Sequence, residues 1–179
     1  GLTNRFPRLF LPLLGNHQIL NAASAIGAVE ALSYHNIAIP ARAIEEGLRR
    51  VKWPGRLEVM QEHPLVVLDC AKDTEASRAL RQALQESFSY KKLVAVISIS
   101  SDKNIPGMIH ELAQMADYFV VTSHQVMARA ADPRRIVEEL RKYSKSCETV
   151  TTVRDAVKRA LQLAGDDDLV CITGSVFLV

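Results

Sequence analysis

Hydrophobic and polar positions change rhythm near residue 53. Before it, residues 17–32 are dense in alanine and aliphatics: Ala22, Ala23, Ala25, Ile26, Ala28, Val29, Ala31 and Leu32. Small apolar residues on several faces predict a helix packed closely on more than one side. Ile44, Leu48 and Val51 then recur at i, i+4 and i+7, which predicts a second helix opening near Pro40, a residue suited to a first helical turn. Glu45 with Arg49, and Glu46 with Arg50, stand four apart, the spacing at which opposite charges meet on the solvent side of a helix. Trp53-Pro54-Gly55 stops that helix. A domain boundary is placed there, with residues 1–52 on one side and 53–179 on the other.

Past the boundary, strand-like and helix-like segments alternate. Residues 56–61 and 65–69 read as strands around a turn at His63-Pro64. A helix over about 73–88 turns Ala76, Leu80, Ala83, Leu84 and Phe88 inward. Residues 93–99, rich in β-branched side chains, suit a strand buried on both faces. Ile105, Met108, Ile109, Leu112 and Ala116 mark the next helix, and 118–121 the next strand. Asp132-Pro133 reads as an N-cap followed by a first-turn proline, opening a helix that buries Ile136, Val137 and Leu140. A short strand over 148–150 precedes Thr152 and Asp155, a capping box with Asp in place of Glu. Val153, Ala156, Val157, Ala160 and Leu161 form that helix's core stripe, Gly165 ends it, and 169–172 is a last buried strand. The alternation predicts an α/β fold with a mainly parallel sheet and helices on both faces.

Composition narrows the function classes. Of 179 residues, 48% are hydrophobic and 23% charged, ordinary values that exclude a disordered chain. The longest apolar stretches, such as 93–97, fall far short of the ~18–20 residues of a membrane span. Lys and Arg total 22 against 20 Asp and Glu, a balance that argues against a dedicated nucleic-acid binder. A soluble, cytoplasmic protein is expected. Cys70, Cys147 and Cys171 are scattered and make no CxxC or Cys/His zinc spacing, so no structural metal is expected. The opening fourteen residues, with Pro7 and Pro12, carry no signal-peptide pattern and read as a chain entered midway.

Chemistry is expected at the carboxyl ends of the strands, where open α/β sheets bind ligands. The loops leaving those ends are Asp69-Cys70-Ala71-Lys72-Asp73, Ser100-Ser101-Asp102-Lys103, Thr122-Ser123-His124-Gln125 and Thr173-Gly174-Ser175. One polar loop is ordinary; four on one edge make a ligand-facing rim. Neither G-x-G-x-x-G nor G-x-x-x-x-G-K-[ST] occurs, and no G-x-S-x-G elbow. A tight phosphate grip must therefore come from outside these residues, or the protein is not a self-sufficient nucleotide enzyme. Near the start, His17 and Asn21 share one face of the first helix close to its N-terminus. The Asn21 carboxamide both donates and accepts, which suits the N6/N7 edge of adenine; a helix cap or a core hydrogen bond is the alternative. Arg56 offers a rigid fork for phosphate oxygens, or one half of an interdomain salt bridge. Asp69, at a strand end, can accept from ribose hydroxyls.

Five motifs stand in order: G-x-H-Q-x-x-N-A from Gly15, W-P-G-R-L-E from Trp53, L-D-x-A from Leu68, S-S-D-K from Ser100 and T-G-S-V-F-L-V from Thr173. In that order they resemble the C-terminal part of folylpolyglutamate synthase/dihydrofolate synthase, in the Mur ligase superfamily, over residues 15–179. Gln18 favours the folate branch, because the cell-wall ligases more often carry H-N at that place; Trp53 to Glu58 points the same way.

The resemblance implies that residues 1–52 are the mostly helical tail of a central ATPase domain and 53–179 a Rossmann-like ligase domain that closes over the nucleotide. Trp53-Pro54-Gly55 is then either a hinge or an ordinary rigid turn. Asn21, Arg56 and Asp69 are implied as ATP contacts, with His17, Lys72, Asp73, Asp102, Lys103 and Ser175 lining the cleft. No catalytic residue and no metal ligand is implied on this chain. The implied reaction activates the carboxylate of dihydropteroate or of a folate's glutamate tail as an acyl phosphate. L-Glutamate then attacks, giving an amide, ADP and phosphate. ATP and Mg²⁺ are the implied cofactors, the metal ligands lying mainly upstream with the P-loop, so that this chain alone is inactive. Folate or dihydropteroate, L-glutamate and ATP are the expected partners, in folate and one-carbon metabolism. Where the family commonly has D-x-A-H-N, this chain reads Asp69-Cys70-Ala71-Lys72-Asp73. That departure favours one alternative, a non-catalytic, degenerate Rossmann-like binding module; a Mur-type amino-acid ligase of cell-wall synthesis is the other.

Overall fold

The structure, a computed structural model, describes residues 6, 8–126 and 128–179. Part of the irregular opening stretch, including Pro7, lies outside the described residues. The chain divides into two compact units, Gly1–Pro54 and Gly55–Val179.

The first unit is helical. Helix α1 (Asn16–Ala31) runs into a tight 3-10 turn (Leu32–His35) that ends on Asn36 in the left-handed region. Helix α2 (Ala41–Arg50) starts one residue later than expected, with Pro40 as its N-cap. Ile44 is its buried residue, and Arg50 pairs with Glu46 as the spacing predicts. The two-sided packing expected of α1 is not made within the described residues: Gln18 is its one buried side chain, and Ile19 and Leu20 stay exposed. Two short helices offer too little apolar surface to cover an alanine-rich helix on several sides.

The second unit is a six-stranded sheet with flanking helices. Its strands are β1 (Glu58–Glu62), β2 (Leu65–Leu68), β3 (Leu93–Ile97), β4 (Tyr118–Val121), β5 (Ser146–Thr149) and β6 (Leu169–Thr173). Its helices are α3 (Thr74–Ser87), α4 (Ile105–Leu112), α5 (Pro133–Arg141) and α6 (Val153–Leu163). Strand order is β1-β2-β6-β3-β4-β5, parallel throughout except for the antiparallel β1–β2 edge pair. The last strand thus inserts between β2 and β3, and both it and β3 are buried along their whole length. One face packs Leu80 and Leu84 of α3, Met108 and Leu112 of α4, and Ile136 and Leu140 of α5 against Ala95, Ile97 and Phe119. The other packs Ala156 and Ala160 of α6 against Val94, Val96, Val120 and Val170. The α/β architecture with helices on both faces is the one the alternation predicts.

Helix starts follow the local chemistry. Asp132 accepts from Arg134 N–H at 2.9 Å and Thr152 from Asp155 N–H at 3.1 Å, so both expected caps form. Strand β5 lies two residues earlier at its start than the pattern suggests, because its ladder with β4 pairs Tyr118 with Ser146 and Val121 with Thr149.

Helices α3 and α4 are also joined by charge. Buried Glu111 accepts from Arg78 Nε at 3.0 Å and from Arg81 Nη2 at 3.1 Å. Burial alone would raise this carboxyl, but the two guanidiniums outweigh it and hold Glu111 below the usual carboxylate range. A depressed folded value means that its contribution is present above the unfolded pKa and is lost as pH falls through the folded one. The Glu111→Gln variant is therefore expected to unfold at lower denaturant than the parent at pH 7, the two midpoints converging on acidification. Parallel curves at every pH would contradict the assignment.

Candidate functional site

The carboxyl end of β2 carries a closely knit corner. Asp69 is buried, accepting Ala71 N–H on Oδ1 at 2.8 Å and Leu57 N–H on Oδ2 at 3.0 Å. Those bonds hold Leu57, at φ 44° and with its side chain in the core, in a left-handed conformation that a leucine seldom adopts. The turn before it is pinned twice more: Gly55 N–H donates to Glu58 Oε2 at 2.8 Å, and Cys70 N–H donates to Gly55 O at 2.9 Å. Glycine is required at 55, because φ is 68° and a Cβ would stand 2.6 Å from Cys70 Sγ. Arg56 lies inside this clamped turn, half-buried and without an ion pair among the described residues. Two of the sequence-nominated residues, Arg56 and Asp69, therefore share one corner.

Lys72 and Asp73 follow, both exposed. Asp73 is the N-cap of α3, its Oδ1 accepting Ala76 N–H at 2.8 Å. Asn and Asp serve this capping role about equally well, so the helix start tolerates the departure at 73. Burial pushes the neighbouring Cys70 thiol up, with Arg56 partly opposing the shift.

The loops after β3, β4 and β6 form a second cluster. Asp102 pairs with Lys103 at 2.9 Å and with Arg129 at 3.6 Å, and the Lys103 bond holds its carboxyl below the usual range. The backbone around Arg129 folds onto the β3 loop: Ser101 N–H donates to Arg129 O at 2.8 Å and Ala131 N–H to Ile99 O at 2.9 Å. After β6, Gly174 sits at φ 104°, where a Cβ would meet Ser98 O at 2.7 Å. Ser175 is buried, its Oγ accepting Phe177 N–H at 3.2 Å. Gly174→Ala combines a disfavoured φ with that clash, so thermal or denaturant unfolding should show a loss of about 2–3 kcal/mol. An unchanged midpoint would mean that the backbone here is not held as described. The sequence marks 122–125 as polar rim but does not single out His124. Its one signal is a histidine among Ser and Thr directly after an apolar strand, and the structure buries it completely.

In the helical unit, Gly15 at φ 93° precedes α1 and its carbonyl accepts Gln18 N–H at 2.9 Å. Asn21 Nδ2 donates to the buried Gln18 Oε1 at 3.0 Å, which fixes the amide's orientation. His17 is half-buried one position before Gln18.

Metal ligands do not gather on the described residues: no group of three or more His, Cys, Asp or Glu is placed to hold an ion. Burial also raises the Cys147 and Cys171 thiols, which keeps them protonated and poor as ligands. No described helix is long and apolar enough to cross a membrane.

Comparisons with known proteins address the same region. The family model described as "Mur ligase, glutamate ligase domain" matches residues 55–176. The dihydrofolate synthase/folylpolyglutamate synthase of Bacillus subtilis is 33% identical over 168 residues, 93% of this chain and 38% of the relative. The Mycobacterium tuberculosis folylpolyglutamate synthase complexed with ADP and AMPPCP superposes with a TM-score of 0.83 at 29% identity, covering 95% of this chain and 40% of that one. A bifunctional folylpolyglutamate synthase/dihydrofolate synthase with Mn, AMPPNP and L-glutamate bound gives 0.84 at 29% identity, over 99% and 41%. The chain thus spans about two fifths of the length of these relatives. With the domain model covering the whole sheet and the structural likeness extending through both units, the chain belongs to the Mur ligase family.

Proposed function

We propose that this chain is the C-terminal portion of an ADP-forming ligase that joins L-glutamate to dihydropteroate or a folate. The carrying observation is Arg56: a half-buried guanidinium without an ion pair, held by a glycine turn beside the buried Asp69 at the carboxyl end of a parallel strand. A guanidinium set in that way and left unneutralised suits phosphate oxygens. Relatives named for dihydrofolate and folylpolyglutamate synthesis, one of them holding AMPPNP and L-glutamate, support the substrate class.

In this reading the acceptor carboxylate attacks the terminal phosphoryl group of ATP and ADP leaves. The glutamate amine then attacks the acyl carbon, and phosphate leaves with the C–O electron pair. Arg56 binds phosphate oxygens, the Asp69 carboxylate meets a ribose hydroxyl, and the Asn21 amide meets adenine. His17, Lys72, Asp102, Lys103 and Ser175 line the cleft, and Asp73 serves it by starting α3. Mg²⁺ neutralises phosphate charge in such transfers. In this reading the part of these residues is binding and orientation.

No P-loop sequence occurs in the 179 residues, so turnover needs nucleotide-binding elements from elsewhere in the ligase. The purified chain, given MgATP, a folate and L-glutamate, is expected to release no ADP above background. The complete ligase is expected to release ADP only when folate or dihydropteroate and L-glutamate are both present. Turnover with a UDP-linked muramyl acceptor instead, or no turnover with either, would overturn the reading.

A further inference from the structure

His124 joins three loops at the carboxyl edge of the sheet. It lies just beyond β4 and is fully buried. Its backbone N–H donates to Ser98 Oγ at 3.0 Å, and its Nε2 stands 3.3 Å from Ser100 Oγ, both on the segment leaving β3. Its ring packs against Phe177, beyond β6, with centroids 5.2 Å apart and planes inclined by 52°. The Arg129 guanidinium covers the same phenyl ring at 5.3 Å and reaches Asp102 at 3.6 Å. Phe177 N–H in turn donates to Ser175 Oγ, and Leu178 N–H to Ser175 O at 3.1 Å. A chain of contacts therefore runs from the imidazole through Phe177 to Ser175.

Burial, reinforced by the positive charge of Arg129, pushes the imidazole below its usual pKa, so the ring is neutral at pH 7. A neutral ring stacks on Phe177 beside a guanidinium without adding a second buried cation. Its Nδ1 is buried and has no hydrogen-bond partner among the described residues. An aliphatic side chain would avoid that orphaned atom. Stability alone does not account for a histidine here.

We propose that His124 is a positioning residue: it holds the 174–177 loop, and with it Ser175, against the ends of β3 and β4. The proposal rests on the ligase reading for its consequence in catalysis, but its structural half stands apart from that reading.

Amide hydrogen exchange on the 179-residue chain tests the structural half. In His124→Ala, the Phe177 and Leu178 amides are expected to exchange about tenfold faster, the combined effect of one lost ring contact and one hydrogen bond. The β3 and β6 ladder amides should keep their protection. His124→Phe retains the ring contact and should restore most of the loop's protection. Phe177→Ala removes the contact from a half-exposed position and should reproduce the release, which keeps the test open where His124→Ala does not fold. Unchanged loop exchange in Phe177→Ala, or equal acceleration of loop and ladder amides, would overturn the proposal. In the complete ligase, His124→Ala should raise KM for one substrate about tenfold more than it lowers kcat, with His124→Phe closer to the parent. Released loops with unaltered kinetics would sink the catalytic half alone. A parent ligase without glutamate-dependent turnover would sink the ligase reading and leave the exchange result standing.

Discussion

Asp69→Ala should lower the stability of the sheet unit by about 2–4 kcal/mol, because two N–H groups lose their acceptor at once and a buried unsatisfied donor costs about 1–3 kcal/mol. The donors are Leu57 N–H and Ala71 N–H, and both residues are buried. Leu57 adds to the effect, since its positive φ persists only while its amide and side chain are both held. For a domain of this size the change corresponds to a Tm lower by roughly 5–15 °C, read by calorimetry or circular dichroism. Asn at 69 keeps one acceptor oxygen and turns an NH₂ toward the other donor, so Asp69→Asn should fall between the parent and Ala. A Tm within about 1 °C of the parent for Asp69→Ala would show that the carboxylate does not organise the turn.

Arg56→Ala should act in the opposite sense, with little effect on folding and a large effect on nucleotide use. Arg56 is half-buried and has no ion pair among the described residues, so its removal orphans no partner. A charge-assisted bond to phosphate is worth about 1.5–3 kcal/mol, which corresponds to a fall of roughly 10- to 100-fold in kcat/KM for ATP in the complete ligase. Arg56→Lys keeps the charge but loses the fork and should recover only part of that loss. The double variant with Asp69→Ala should lose less than the sum of the two, because removing Asp69 already displaces the turn that carries Arg56. Unchanged ATP kinetics in Arg56→Ala would remove Arg56 from the site, and strict additivity would separate the two residues.

Much of the fold was legible in the order of residues. Asp132 and Thr152 announce their helices because capping is settled within three residues. The five apolar residues of β3 and the four that open β6 announce burial on both faces. Strand β5 was legible only approximately, since its start is set by pairing with β4, nearly thirty positions away. The apolar faces of helix α1 were legible but not what covers them, because periodicity reports which faces are apolar and not their partners; among the described residues only Gln18 of this helix is buried.

The candidate site divides the same way. The W-P-G-R-L-E and L-D-x-A motifs were visible as strings, and so were the polar loops at the strand ends. That Asp69 turns its carboxylate onto Leu57 N–H, and that His124 joins Ser100 to Phe177, were not. The sequence by itself determined the alternation of elements, the helix starts fixed by local caps, and the residue types available for phosphate and hydroxyl chemistry. Only the tertiary structure decided that β6 enters between β2 and β3, and which polar groups are spent on the protein's own backbone and which stay open. The reason is physical: capping and periodicity act over a few residues, whereas these choices join groups 12 and 24 positions apart and strands still more distant in the chain, whose pairing is settled by burial.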